Sequence, residues 1–366
     1  MTFNRICVRI VTYENNVSNP GLRPAVIYFG RLCAPQHPFP HKKEIYKKGW
    51  IDFNKNGKKD IYEDPTQDIE KRIDDLLSQM NLDEKTCQLA TYYGYRKALK
   101  DSVPTAEWKT NILKDGIANV DEHLNKEIGD PNTLATALAE TQRFFVEYTR
   151  LGIPADFTNE GIRGLNARSA TSFPSMNGLG CTWDKELAYR QGVIEGREAR
   201  AMGYTNIYAP ILDVARDQRW GRWEGAIGED PYLVARIGVA MSKGIQSQRV
   251  VSTPKHYVGY GDCKAARQWD SRTDPHVTPS EMYYIHEYPF RKVFQEAGAL
   301  GVMCAYNDYD GVPMAGNYHY LTEVLRKEMG FKGYVVSDSY AIGRLNGVHK
   351  VTPNFKESGR KAIEPV

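Results

Sequence analysis

Apolar positions along this chain follow two different periods. Between residues 67 and 90 they fall at helical spacing. Ile69, Ile73, Leu76, Leu77 and Met80 form one stripe, Asn81 breaks it, and Leu82 and Leu89 begin another. This predicts a pair of amphipathic helices. Asp83 and Glu84, just inside the second start, suit the positive end of a helix. A further helix is expected over 132–150. After Gly152-Ile153-Pro154 short β-branched and aromatic runs alternate with helical stretches. Strands are expected leading into 156–164 and over 205–214, 250–257, 300–306 and 334–337. Helices are expected over 184–202, 232–248, 280–297, kinked at Pro289, and 321–329. Such alternation predicts a parallel α/β fold. No G-x-G-x-x-G follows an early strand, which argues against a dinucleotide fold. Polar residues at successive strand ends favour a (β/α)8 TIM-type barrel instead. Residues 1–48 lack periodicity and carry Pro20, Pro24, Pro35, Pro38 and Pro40. The expected division is therefore an irregular N-terminal arm over 1–66, then a barrel over 67–366.

Composition narrows the function. The 366 residues are 41% hydrophobic and 25% charged, as in globular chains. A net charge of +3, without a dense Lys/Arg block, argues against nucleic acid as a partner. No apolar run approaches the ~18 residues of a membrane span. The six cysteines, Cys7, Cys33, Cys87, Cys181, Cys263 and Cys304, lack C-x-x-C spacing, which argues against structural zinc and a disulfide framework. Arg5 and Arg9 interrupt the apolar residues at the start, so no clean signal peptide is visible.

The strand ends carry the candidate chemistry. Asn159-Glu160, the stretch from Arg216 to Arg222, Lys255-His256, Tyr306-Asn307 and Asp338 follow successive expected strands. Converging on one barrel mouth, they would make a pocket of donors and carboxylates suited to a polyhydroxylated ligand. A carboxylate such as Asp338 at a strand end is a candidate nucleophile. The alternatives are a helix cap for Ser337 or Asp338, a surface lysine for Lys255, a structural cation–π cluster for Arg222 and an ordinary core tyrosine for Tyr306. Separately, Asp52, Asn54, Asn56, Lys58, Asp60 and Glu63 sit at the spacing of a calcium loop, with Gly57 at the sharp turn. The competing reading of this segment is a polar turn before a helix.

Several of these motifs carry a family resemblance. Asn159-Glu160-Gly161-Ile162-Arg163-Gly164 resembles the acidic sugar-binding motif of family 3 glycoside hydrolases. The run Arg216-Asp217-Gln218-Arg219-Trp220-Gly221-Arg222-Trp223-Glu224, with Gly228-Glu229-Asp230-Pro231-Tyr232, is similar to their arginine-rich signature. Lys255-His256-Tyr257 resembles their Lys-His pair, Val302-Met303-Cys304-Ala305-Tyr306-Asn307 their tyrosine segment, and Gly333-Tyr334-Val335-Val336-Ser337-Asp338 their nucleophile segment. The resemblance runs from about Asp68 onward and keeps the family's order. It implies a retaining exo-acting β-glycosidase, most like β-glucosidases acting on terminal β-D-glucosyl residues of oligosaccharides or aryl glycosides. It implies that Asp338 is the nucleophile, that Glu160, Arg222, Lys255 and His256 hold the sugar, and that Met303 and Tyr306 line the site. An arginine after the Lys-His pair is also implied, with Arg272 the first choice and Arg267 the second. No cofactor is required, a structural Ca²⁺ in the 52–63 loop aside. The resemblance suggests a periplasmic or secreted location. Lys255 and Arg222 are expected to keep Asp338 ionised.

Three departures matter. Ser339 stands where many members have Trp. The segment from Lys255 to Asp262 lacks the second His of hexosaminidase-type members. Members continue past the nucleophile into a second α/β sandwich domain that carries the acid/base glutamate, whereas this chain stops at Val366. The barrel is thus expected to be incomplete at its C-terminus and the second domain absent, leaving the activity of this chain alone open. The alternatives are a β-xylosidase of the same family and an inactive carbohydrate-binding fragment.

Overall fold

The computed structural model describes residues 39–264 and 274–364. The expected arm over residues 1–38, and both Arg267 and Arg272, lie outside the described residues.

The first strands among the described residues, β1 (Tyr46–Lys47) and β2 (Trp50–Ile51), pair as a short antiparallel hairpin. Next come α1 (Ile69–Gln79) and α2 (Leu82–Cys87). The predicted break at Asn81 is a capping box. The Asn81 side chain accepts from the Glu84 N–H, and the Glu84 carboxylate accepts from the Asn81 N–H. Strands β3 (Thr91–Tyr93) and β4 (Asn119–Asp121) precede α3 (Pro131–Tyr148) and β5 (Asp156–Glu160). Then follow α4 (Met176–Gly180), α5 (Lys185–Met202), β6 (Asn206–Tyr208) and α6 (Pro231–Gln246). Asp130, Asp184 and Asp230 cap α3, α5 and α6 by accepting first-turn N–H groups, two of them just ahead of an N1 proline. Strands β7 (Val251–Ser252) and β8 (Lys255–Tyr257) lead to α7 (Pro279–Glu281) and α8 (Glu287–Ala297). Strand β9 (Gly301–Cys304) is followed by the hairpin of β10 (Asp308–Tyr309) and β11 (Val312–Pro313), then by β12 (Tyr334–Ser337). Helices α9 (Ala341–Gly347) and α10 (Phe355–Ile363) end the described chain.

Two expected strands are interrupted, and proline explains both. Pro210 and Pro254 have no N–H to donate, so ladder pairing stops before each. The stretch 205–214 is paired only over β6, and 250–257 divides into β7 and β8. Pro289 falls in the first turn of α8, and the irregularity lies ahead of it, where Met282–His286 widens into a π turn. The expected helix near 321–329 is likewise π-wound over His319–Glu328.

The parallel sheet runs β3-β4-β5-β6-β7, then β8-β9-β12, with an Ile211–Lys255 bridge joining the two parts. Because the strands are parallel, their C-terminal ends share one edge. The expectation of a parallel α/β fold holds, and of the (β/α)8 TIM-type barrel expected to be incomplete at its C-terminus the described residues show an arc of parallel strands and no closed barrel. Among the described residues β12 and β3 form no ladder. A hydrogen bond from the Tyr93 hydroxyl to Ser339 Oγ, 2.6 Å, links the chain just beyond β12 to β3.

Helices α5 and α6 cover the arc in backbone contact. A Cβ on Gly192 would lie 2.3 Å from the Met241 carbonyl oxygen, and one on Gly244 2.3 Å from that of Tyr189. Residues 39–46 pack on α3, where Phe39 and Tyr148 meet at 4.7 Å between ring centroids. There the fully buried Glu147 carboxylate accepts from the Lys42 N–H, the Tyr46 hydroxyl and Arg143.

Candidate active site

The shared edge of the arc gathers the polar strand-end residues. Glu160 closes β5, Lys255 and His256 form most of β8, and Asp338 follows β12 directly. Lys255 is buried along with its stem, and its Nζ donates to Glu160 Oε2 at 2.5 Å. The same ammonium lies 6.0 Å from the centre of the Tyr208 ring. The Lys255–His256 peptide is cis. His256 Nδ1 lies 2.7 Å from Asp213 Oδ2, and His256 Nε2 lies 3.6 Å from Asp338 Oδ2. Met303 is buried in β9, in register with Lys255 on one side and Val336 on the other.

The two oxygens of Asp338 are treated differently. Oδ1 accepts the Ser339 N–H at 2.6 Å, while Oδ2 is buried and accepts no hydrogen bond. Burial raises the Asp338 carboxyl above its ordinary range, although Lys255 and Arg222 pull it down. Lys255 and Arg222 act in the expected direction, toward the ionised form, and desolvation opposes them. Arg222 sits between two 3₁₀ turns, Gln218–Trp220 and Trp223–Gly225, with its guanidinium 5.5 Å from the Tyr260 ring centre. Its Nη1 is buried and has no hydrogen-bond partner. An orphaned cationic donor and an orphaned carboxylate oxygen in one pocket both call for a partner with hydroxyl groups. Tyr306 is both core and site. Its ring is buried beneath the Arg344 guanidinium at 4.1 Å, and its hydroxyl donates to the Ser339 carbonyl at 2.8 Å.

Sequence reasoning missed two carboxylates. Asp213, fully buried behind His256, is pushed up to about 7 by burial, with Arg222 opposing. Asp121, at the end of β4, is pushed up to about 7 by burial and accepts from the Thr158 hydroxyl at 2.7 Å. Asp213 is a lone carboxylate within an apolar stretch, Leu212-Asp213-Val214, whereas Asp121 is followed directly by Glu122, and neither motif says what the side chain meets.

This chain matches the family described as Glycosyl hydrolase family 3 N terminal domain over residues 81–365. The chain belongs to glycosyl hydrolase family 3. A family 3 relative, a β-xylosidase from Formosa agariphila, is 34% identical over 258 residues, covering 66% of this chain and 35% of that one. A periplasmic β-glucosidase/β-xylosidase from Dickeya chrysanthemi is 31% identical over 327 residues, covering 78% of this chain and 48% of its own length. Among solved structures, a β-glucosidase from Erythrobacter marinus superposes with a TM-score of 0.76 at 30% identity, covering 84% of this chain and 41% of that one. This family 3 chain thus spans less than half the length of these relatives.

The 52–63 loop is tied together by its own hydrogen bonds. Asp52 accepts from the Asn56 and Gly57 N–H groups, and Glu63 from those of Phe53, Asn54 and Asp60. The amides of Asn54 and Asn56 point their donors at Asp60 Oδ2, at 2.5 and 2.7 Å. Among the described residues no three carboxylate, imidazole or thiol groups converge on one point. Millimolar calcium added after EDTA treatment tests the loop, since only a ligand of the folded form raises the melting temperature: a calcium-dependent rise assigns it an ion, and an unchanged melt leaves it a polar turn.

Proposed function

We propose that this chain carries the nucleophile and the sugar-holding groups of a retaining, exo-acting β-glycosidase. The observation that carries the reading is the buried, unpartnered Asp338 Oδ2 among Lys255, His256 and Arg222. Oδ2 attacks the anomeric carbon and forms an ester with the sugar. The bond to the leaving oxygen breaks and its electron pair stays on that oxygen. Water then cleaves the ester and returns the sugar with its original configuration. Glu160 accepts sugar hydroxyls, while Lys255 and Arg222 donate to them. The leaving oxygen needs a proton unless it departs as a stable phenolate, so aryl glycosides are the substrates of choice for testing.

Two sugars fit this reading. A terminal β-D-glucosyl residue accords with the β-glucosidase relatives, and a β-xylosyl residue with the Formosa agariphila enzyme. They differ by one CH₂OH group, and a pocket wall of different depth separates them. The Dickeya chrysanthemi relative's name also favours a periplasmic location. Among the described residues no helix is long and apolar enough to cross a membrane. Parallel assays on nitrophenyl β-glucoside and β-xyloside test the function, and release from neither sinks it.

The pH dependence has a definite sign. Only ionised Asp338 attacks, and burial raises its carboxyl. The rate of inactivation by a dinitrophenyl 2-fluoro-glycoside, whose leaving group needs no proton, is expected to fall on acidification from a pH above the ordinary carboxylate range of about 4. A rate that stays flat down to about pH 4 would contradict it.

A further inference from the structure

We infer that Asp213 is a positioning residue that fixes His256 as a hydrogen-bond acceptor toward the sugar, by holding its ring proton on Nδ1. This rests on the reading of Asp338 as nucleophile. Asp213 follows the Ile211–Lys255 bridge in the loop after β6, and its carboxylate reaches beneath β8. It meets His256 twice. Oδ1 accepts the His256 backbone N–H at 3.4 Å, and Oδ2 lies 2.7 Å from Nδ1. An ionised carboxylate accepts only, so the proton at this contact belongs to the imidazole. In the neutral ring Nε2 then carries a lone pair. The 3.6 Å from Nε2 to Asp338 Oδ2 is too long for a hydrogen bond, as expected of two acceptors.

The His256 ring is also packed from the side. Tyr260 meets it edge to face with centroids 5.3 Å apart, and Arg222 lies over that same tyrosine. Among the described residues Arg222, Lys255 and Asp338 are charged groups that bear on the pair, with the Tyr260 and Tyr306 hydroxyls beyond. Lys255 and Arg222 can only donate. A sugar hydroxyl beside the anomeric carbon has one proton, and a His256 acceptor next to Asp338 gives that proton a partner other than the attacking oxygen. Oδ2 is thereby left with its lone pairs free for the anomeric carbon.

Asp213→Asn is the informative variant because it keeps the shape and reverses the tautomer. The backbone N–H of His256 holds the amide oxygen at the Oδ1 position, so the amide NH₂ faces Nδ1 and donates to it. The ring proton then moves to Nε2, and the acceptor becomes a donor.

The test combines two measurements on the full chain. In ¹⁵N-histidine spectra at about pH 8, where Asp213 is ionised, wild-type His256 should show Nδ1 protonated, and Asp213→Asn should show Nε2 protonated. The signal is assigned by its loss in His256→Asn. On a dinitrophenyl β-glycoside, which keeps its 2-hydroxyl and whose leaving group needs no proton, kcat/KM should be on the order of 10²-fold lower in Asp213→Asn, with the 2-fluoro-glycoside label still on Asp338. An Nε2-protonated ring in the wild type overturns the inference, as does an Asn variant with the wild-type kcat/KM on the dinitrophenyl β-glycoside. A variant that does not fold leaves the wild-type spectrum to decide. A label on a carboxylate other than Asp338 refutes the nucleophile instead, and the spectra still decide the tautomer.

Discussion

Asp338→Asn is expected to abolish glycosyl-enzyme formation, by on the order of 10⁴-fold or more, while the chain still folds. The fold should survive because Asp338's structural bonds persist. Its N–H donates to the Cys304 carbonyl regardless of side chain, and an asparagine oxygen accepts the Ser339 N–H as Oδ1 does. The lost atom, Oδ2, bonds to nothing, so no hydrogen-bond partner is orphaned. Chemistry should fail because an amide is a poor nucleophile toward an anomeric carbon. The check is peptide mapping after reaction with a 2-fluoro-glycoside, beside a thermal melt of both proteins. Wild-type label on any other carboxylate removes Asp338 from the role, and an Asn variant that accumulates labelled enzyme at the wild-type rate does the same.

What the sequence disclosed and what it withheld divide along a physical line. Helix starts were legible because capping is local. Asn81 with Glu84, and Asp230 with Pro231, satisfy first-turn donors within a few residues of chain. Strand ends were legible because apolar runs stop where the sheet meets the pocket, so Glu160, Lys255, His256 and Asp338 could be named beforehand and do meet on one edge. Strand lengths were less legible. Pro210 and Pro254 were visible, but which N–H each strand needs depends on its neighbour. Asp213 was hidden for the opposite reason to Asp338. It lies inside an apolar stretch, and its partner is 43 positions away on another strand. The balance of charge at Asp338 was also out of reach. A sequence names the cations, while the desolvation that outweighs them exists only once the pocket is closed.

Removing the ammonium of Lys255 is the second large effect. Lys255→Ala is expected to lower kcat/KM on an aryl β-glycoside by about 10²–10³-fold, with part of the loss in KM. Three interactions change together. Glu160 Oε2 loses its 2.5 Å donor and keeps its charge. Asp338 loses the first of the two cations that oppose its desolvation, so less of it is ionised at a given pH. The sugar loses a donor that Glu160 and Asp338, which can only accept, do not replace. Breaking a buried pair from one side costs about 3–5 kcal/mol, but Glu160 keeps 28% of its side-chain surface in solvent, so the stability loss should fall below that range. A double-mutant cycle with Glu160→Gln separates binding from folding. If the two groups act on the sugar as one unit, the double variant should be far less impaired than the two single losses multiplied together. Multiplicative losses would mean that Lys255 and Glu160 contact the substrate independently. Wild-type kcat/KM in Lys255→Ala would mean that this buried lysine only braces Glu160 against Tyr208 and never meets the sugar.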